Sequence, residues 1–297
     1  GLFLGALLRE LKKSRFKIPY SPIVLGVGLL GGSLAEHFGE LGDSANILAE
    51  MHPDGVLLVF LPILLFESAF NSDWYIFKKS LYQILILAGP GVIICCALIA
   101  ACMKFIFRYD DEELPWSGAL AFGACISSTD PIAVVALLKE LGANHHFSTI
   151  IEGESLINDG TAVVFFTIFL KIARGDGLTF GSGVGEVAGL VFGGLGAGIL
   201  FGIIASWWLE RIYHDSVMSI TIIFVANYAV MFLSTSLNIH FSGILGLVAL
   251  GLYMSAQGKI KISKHVMEPL HAVVEWTQYA AETLIFLLTG EIGRAHV

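Results

Sequence analysis

Stretches of about 20 mostly apolar residues, separated by short polar breaks, recur along the whole chain, and that is the length a helix needs to cross the hydrocarbon core of a bilayer. Inside lipid the backbone has no water to bond, so only helices and closed barrels can span it. The alternating ten-residue pattern of an outer-membrane barrel is missing, which leaves helices. Composition agrees: 56% of the residues are hydrophobic and 14% charged, against about a quarter charged in a soluble domain. The 33 glycines suit close helix packing in lipid. The fold class expected is an all-α polytopic membrane protein.

Ten spans can be drawn: Gly1 to Leu8 (the tail of a span already under way, so that the amino terminus reads as cut), Pro19 to Phe38, Pro53 to Phe70, Leu81 to Phe107, Pro115 to Leu137, Thr149 to Leu170, Val184 to Leu209, Val217 to Thr235, Phe241 to Ala256, and Pro269 to Gly290. Lys and Arg test the drawing, because cytoplasmic loops collect them near span ends. Alternate loops hold Arg9, Lys12, Lys13, Arg15 and Lys17, then Lys78 and Lys79, Lys139, Arg211, and Lys259, Lys261 and Lys264, which is twelve of the seventeen. The other side holds Lys104, Arg108, Lys171 and Arg174, with Arg294 outside the pattern. The rule puts the Arg9 to Lys17 loop inside and the original amino terminus outside. The acidic stretch Asp110 to Glu113 then falls outside and reads as a solvated turn.

An ionisable side chain at mid-membrane costs roughly 2.5–3.5 kcal/mol even on the lenient insertion scale, so each one present needs a partner or a task. Two segments concentrate them. In Ser127-Ser128-Thr129-Asp130-Pro131, proline removes a backbone donor and clashes with the preceding turn. The helix should break there and restart with Pro131 at its first position and Thr129 or Asp130 as the N-cap. Such irregular backbone is tolerated at membrane depth only where it lines protein or a water cavity, and broken helices of this kind build cation sites in transporters. A kinked helix with a capping Asp is the plainer alternative. The second segment is Glu152-Gly153-Glu154-Ser155-Leu156-Ile157-Asn158-Asp159-Gly160. Ser155 and Asp159 are four apart and share a helical face, with Glu152 one turn back. A carboxylate withdrawn from water holds a proton more readily, and a hard monovalent cation competes for the same oxygens. Asp130 and Asp159 sharing one proton as a structural pair is the alternative reading.

Other polar residues in the spans carry plainer readings. Glu67 ends an apolar run and is a site member or an interfacial anchor; Asn227 reads as interhelical glue. Glu275 and Glu282 lie on one face of the last span with His271 near the interface, and Trp207 and Trp208 fit an aromatic belt. Cys95, Cys96, Cys102 and Cys125 have no spacing suited to zinc and read as small buried hydrophobes. A net charge of −8 argues against nucleic acid, whose phosphates need a basic face. No Gly-rich phosphate loop and no nucleophile with a His partner is visible, so an enzyme is not expected. Nor is a cofactor, beyond transported Na+ and H+.

The run from Ser128 through Asp130, Pro131 and Lys139 to Gly142, followed by Ile151 to Ala162, resembles the signature of the NhaP/NHE sodium/proton antiporters, and most of all their plant plasma-membrane salt-tolerance branch. Leu61 to Ser68, Phe241 to Gly251 and Glu282 to Gly290 also match that pattern. The resemblance implies an NhaA/NHE-like inverted-repeat fold of thirteen spans working as a homodimer, of which about ten would be present. Residues 1–107 would hold scaffold and the first core helix, 115–170 the core helices with the cation site, 184–209 the linker helix and 217–290 the second-repeat scaffold. It implies electroneutral exchange of Na+ for H+ by alternating access, with Asp159 as the transport carboxylate. Thr129 and Ser155, and Glu67 directly or through water, would complete a Na+ shell, with Asp130 and Asn158 organising the crossing helices and Ser128, Pro131 and Glu154 structural at the site. Glu154 would pair with an Arg of an eleventh span, absent here, so the chain alone is expected not to transport. K+/H+ or mixed exchange, and an exchanger-like sensor module, are the alternatives. Residues 291–297 (Glu-Ile-Gly-Arg-Ala-His-Val) are what GAGATCGGAAGAGCACACGTC encodes, the start of a common sequencing adapter, and are set apart from the resemblance as read-through.

Overall fold

The computed structural model describes residues 2, 5, 20–35, 53–129, 134–135, 138, 141–175, 180–212, 215–236 and 241–295. Among these, every regular element is a helix: α1 (Tyr20–Ala35), α2 (Pro53–Asn71), α3 (Trp74–Ile106), α4 (Trp116–Ser127), α5 (His145–Arg174), α6 (Phe180–Leu209), α7 (Ser216–Ser236), α8 (Gly243–Lys261) and α9 (Lys264–Ala295). Five of them, α3 and α5 to α8, are long and apolar enough to cross a bilayer. Their exposed large residues, such as Leu98, Phe105, Phe192 and Val225, suit lipid better than water. Two compact units divide the chain, one of residues 1–67 and 268–297, the other of residues 68–267.

Two helices begin well before the expected boundaries, for separate reasons. α3 starts at Trp74, not Leu81, because the Asp73 side chain caps it, accepting from the backbone N–H of Tyr75 at 3.0 Å and of Ile76 at 3.3 Å. Lys78 and Lys79 therefore sit on the helix, where their long stems can carry the charge toward water. α9 starts at Lys264 and runs through Pro269. Pro269 is the sixth residue of this helix, so the bond its N–H would make to the His265 carbonyl is missing and the turns on either side carry the helix through. Within α3, Pro90 lies in a wider π-type turn, Leu87–Gly91, the local adjustment expected where a ring displaces the backbone ladder. A second such turn, Met254–Gly258, lies in α8.

Tight crossings depend on glycine. In the first unit, a Cβ on Gly28 would come 2.5 Å from the Leu287 carbonyl, and one on Gly290 would come 2.6 Å from that of Leu25, so α1 and α9 touch backbone to backbone. In the second unit, Gly194, Gly198 and Gly202 form a four-residue stripe on α6 that faces Ser242, Gly246 and Tyr253. The backbone N–H of Ser242 donates to the Leu190 carbonyl at 3.0 Å, pinning the start of α8 to α6. α8 is the most enclosed of these helices, with Leu245 and Leu247 to Leu250 all buried. At the far end of α3, Lys104 donates to the Asp111 carboxylate at 2.6 Å and to the carbonyls of Tyr109 and Leu114, which ties down the exposed acidic turn.

The packing predicts an asymmetry along α6. A methyl added at Gly198 collides with the backbone of Gly246, whereas one added at Gly196 meets no described atom within 4 Å. Gly198→Ala should lower stability by about 1–3 kcal/mol in a thermal unfolding measurement in detergent, with Gly196→Ala close to unchanged.

Candidate cation site at the helix break

α4 is too short to cross. Its 12 residues span about 18 Å of a core roughly 30 Å thick, so its carboxyl end lies at membrane depth with carbonyls that need donors. The helix stops at Ser127, and Ser128 turns extended, with φ −73° and ψ 114°. α5 is the opposite case, 30 uninterrupted residues. The Asn144 side chain caps its start by accepting from the His146 N–H at 3.0 Å, and Gly175 closes its end at φ 82°. Asp159 is therefore close to the midpoint of α5.

The two helices meet through three consecutive residues of the break. The Asn158 amide donates from Nδ2 to the Ser127 carbonyl at 2.9 Å. The Ser128 hydroxyl donates to Asp159 Oδ1 at 2.6 Å, and the Ser155 hydroxyl donates to the Thr129 carbonyl at 2.8 Å. Positions 155, 158 and 159 share one face of α5 by helical periodicity, and each takes one residue of the break. Ser155 and Asn158 are buried, at 6% and 2% exposure, and Asp159 is half-buried. Asn158 Nδ2 also donates to Glu154 Oε1 at 3.2 Å. Its own Oδ1 is buried with no hydrogen-bond partner among the described residues.

Surrounding contacts fix this set in depth. The Thr161 hydroxyl donates to the Ala88 carbonyl at 2.6 Å, inside the π-type turn of α3, so the helix carrying Asp159 is bonded to the irregular part of its neighbour. A Cβ on Gly123 of α4 would come 2.7 Å from the Cys96 carbonyl of α3. Ser127 Oγ donates to the Ala124 carbonyl at 2.9 Å and lies 3.6 Å from Cys96 Sγ. Val92, Cys96, Ala124 and Ala162 form a buried apolar cluster with Phe165, Phe166 and Phe169 against it. The site is thus polar at the break and apolar beyond it.

Of the residues singled out from sequence, Ser128, Thr129, Ser155, Asn158 and Asp159 come together, with Glu154 on the flank. Thr129 enters through its backbone carbonyl. Asp130 and Pro131 lie outside the described residues. Glu67 is half-buried near the end of α2 and belongs to the other compact unit. Thr161 was not singled out; Pro90 between two glycines, in a run otherwise fit to be a continuous helix, was the signal that α3 offers a carbonyl there.

A family model described as "Sodium/hydrogen exchanger, transmembrane" matches residues 1–293. Sodium/hydrogen exchanger 7 of Arabidopsis thaliana is 39% identical over 98% of the chain, which corresponds to 25% of that protein. Sodium/hydrogen exchanger 8 of the same plant is 38% identical over 98% of the chain and 38% of its own length. The Na(+)/H(+) antiporter NhaH of Halobacillus aidingensis is 30% identical over 92% of the chain, covering 67% of its own length. The chain thus spans between a quarter and two fifths of the plant relatives. The structure of the sodium proton antiporter MjNhaP1 from Methanocaldococcus jannaschii at pH 8 superposes with a TM-score of 0.72 at 19% identity, over 98% of the chain and 68% of that structure. At that identity the likeness concerns the fold.

Removing the Asn158 amide would leave the Ser127 carbonyl without its donor. Asn158→Leu should destabilise the fold by about 1–3 kcal/mol, read as a lower unfolding midpoint in detergent.

Proposed function

Because the chain belongs to the sodium/hydrogen exchanger family, we propose that it is the ion-handling part of an antiporter that exchanges Na+ for H+ across a membrane, with Asp159 as the carboxylate on which the two ions alternate. The observation that carries this reading is the bond from Ser128 to Asp159 at 2.6 Å, made where α4 breaks and near the midpoint of α5. A carboxylate at that depth must be neutralised by a proton or a cation, and a single group serving both gives one-for-one exchange.

In this reading Na+ takes oxygens from Asp159, Ser155 and Thr129. Asp130 and Asn158 organise the crossing helices, and Ser128, Pro131 and Glu154 support the site. Asn158 beside Asp159 leaves a single carboxylate in this pair, in keeping with electroneutral exchange. The carrier then moves between inward-facing and outward-facing states by alternating access, as a homodimer, in the plasma membrane with the Arg9 to Lys17 loop inside. The names of the plant and bacterial relatives, all Na+/H+ exchangers or antiporters, support the ion pair. Because the chain covers only part of the plant relatives' lengths, the proposal includes that residues 1–297 by themselves do not transport.

Reconstituted exchange tests both statements. In liposomes holding the full-length exchanger, Asp159→Asn should reduce Na+-driven proton flux by at least about 100-fold, and purified residues 1–297 should give none. Flux retained by the variant would remove Asp159 from its role, and flux from the isolated chain would show that no further segment is needed. Parallel runs with Li+ and K+ identify the preferred cation.

A further inference from the structure

Three neighbours in the break hold α5 in two different ways. Ser127 and Thr129 each offer a backbone carbonyl, to Asn158 and Ser155 respectively. Ser128 alone engages through its side chain, and it does so on the carboxylate of Asp159. Any residue with the same backbone could supply the two carbonyls, whereas the middle contact depends on a hydroxyl. With both flanking carbonyls bonded to α5, the backbone of Ser128 is fixed against that helix, and its Oγ reaches Asp159 from a set position.

A carboxylate needs such a constraint. The terminal torsion of an aspartate is broad, with no sharp well to fix where its two oxygens point. A hydroxyl bond of 2.6 Å lies in the range of a charge-assisted O–H to carboxylate contact, the stronger class. Holding Oδ1 sets the direction of Oδ2 and of the remaining lone pairs. A cation that finds its oxygens already oriented binds without the cost of ordering them first.

From this we propose that Ser128 is a positioning residue for the cation: its hydroxyl orients the Asp159 carboxylate and thereby sets affinity for a hard monovalent ion, with little part in the transport step itself. This rests on Asp159 being the transport carboxylate. It separates Ser128 from a purely structural residue at the break, since loss of orientation acts on binding, while loss of helix architecture acts on the amount of active protein and on the maximal rate.

The test uses the full-length exchanger in liposomes, with Na+ as the probe and Na+-driven proton flux as the readout. Ser128→Ala should raise the KM for Na+ on the order of tenfold, with the maximal rate per folded protein changed by less than about twofold. Ser128→Thr, which keeps the hydroxyl, should restore the KM to within about threefold of the original, and Ser128→Val, its isostere without the hydroxyl, should behave like Ser128→Ala. Should the valine variant fail to accumulate, the alanine and threonine variants carry the comparison. An unchanged KM in Ser128→Ala, a change confined to the maximal rate, or a threonine variant no better than alanine overturns the proposal. Asp159→Asn run alongside separates the two levels. Retained exchange in that variant overturns the site itself, whereas its loss together with an unchanged KM in Ser128→Ala overturns only the role of Ser128.

Discussion

A helix that stops inside a membrane leaves carbonyls that lipid cannot satisfy, and the structure answers this at α4 with side-chain donors from a single face of α5. Ser155, Asn158 and Asp159 meet Thr129, Ser127 and Ser128, respectively, in a set of three hydrogen bonds. Two of these satisfy backbone acceptors; the third orients a carboxylate. The polar groups that make the break tolerable are thus the ones that make it a candidate site. Positions 158 and 159 both face the break, whereas the next residue along α5, Gly160, lies against Leu245 of α8.

The remainder of the second unit serves to hold that register. Gly123 brings α4 against the α3 backbone at Cys96, and Thr161 bonds α5 to the Ala88 carbonyl in the widened turn around Pro90. Gly160, next to Asp159, leaves room for Leu245 of α8, and α8 is in turn seated on the glycine stripe of α6. Close approach matters in lipid because burial of apolar surface gives helices no net pull on one another, so association relies on packing and interhelical hydrogen bonds. A chain with bulkier residues at these crossings would hold α5 and the break farther apart, beyond reach of a 2.6 Å contact.

Much of this was legible in the sequence because its chemistry is local. Pro131 after Ser-Ser-Thr-Asp marked the break, the four-residue spacing of Ser155 and Asp159 marked the face, and apolar runs marked the spans. The family follows from the same stretches. What was not legible depended on partners distant in sequence. The extended backbone at Ser128 puts its hydroxyl on a residue 31 positions away, and the Thr161 to Ala88 bond spans 73. Thr129 acts through a carbonyl, which residue type does not reveal. The starts at Trp74 and Lys264 lie outside the spans Leu81 to Phe107 and Pro269 to Gly290 because apolar runs mark the membrane-crossing stretch, whereas the Asp73 cap and the polar turn before Pro269 extend the helices beyond it.

The central claim is that one carboxylate serves both ions. Its most direct test is the Na+ dependence of exchange measured across pH in the full-length protein. If Na+ and H+ compete for Asp159, the apparent KM for Na+ rises as pH falls, approaching about tenfold per unit on the acid side, while the maximal rate at saturating Na+ holds steady. A KM independent of pH would mean that the two ions use separate groups, and the account built on Asp159 would be contradicted.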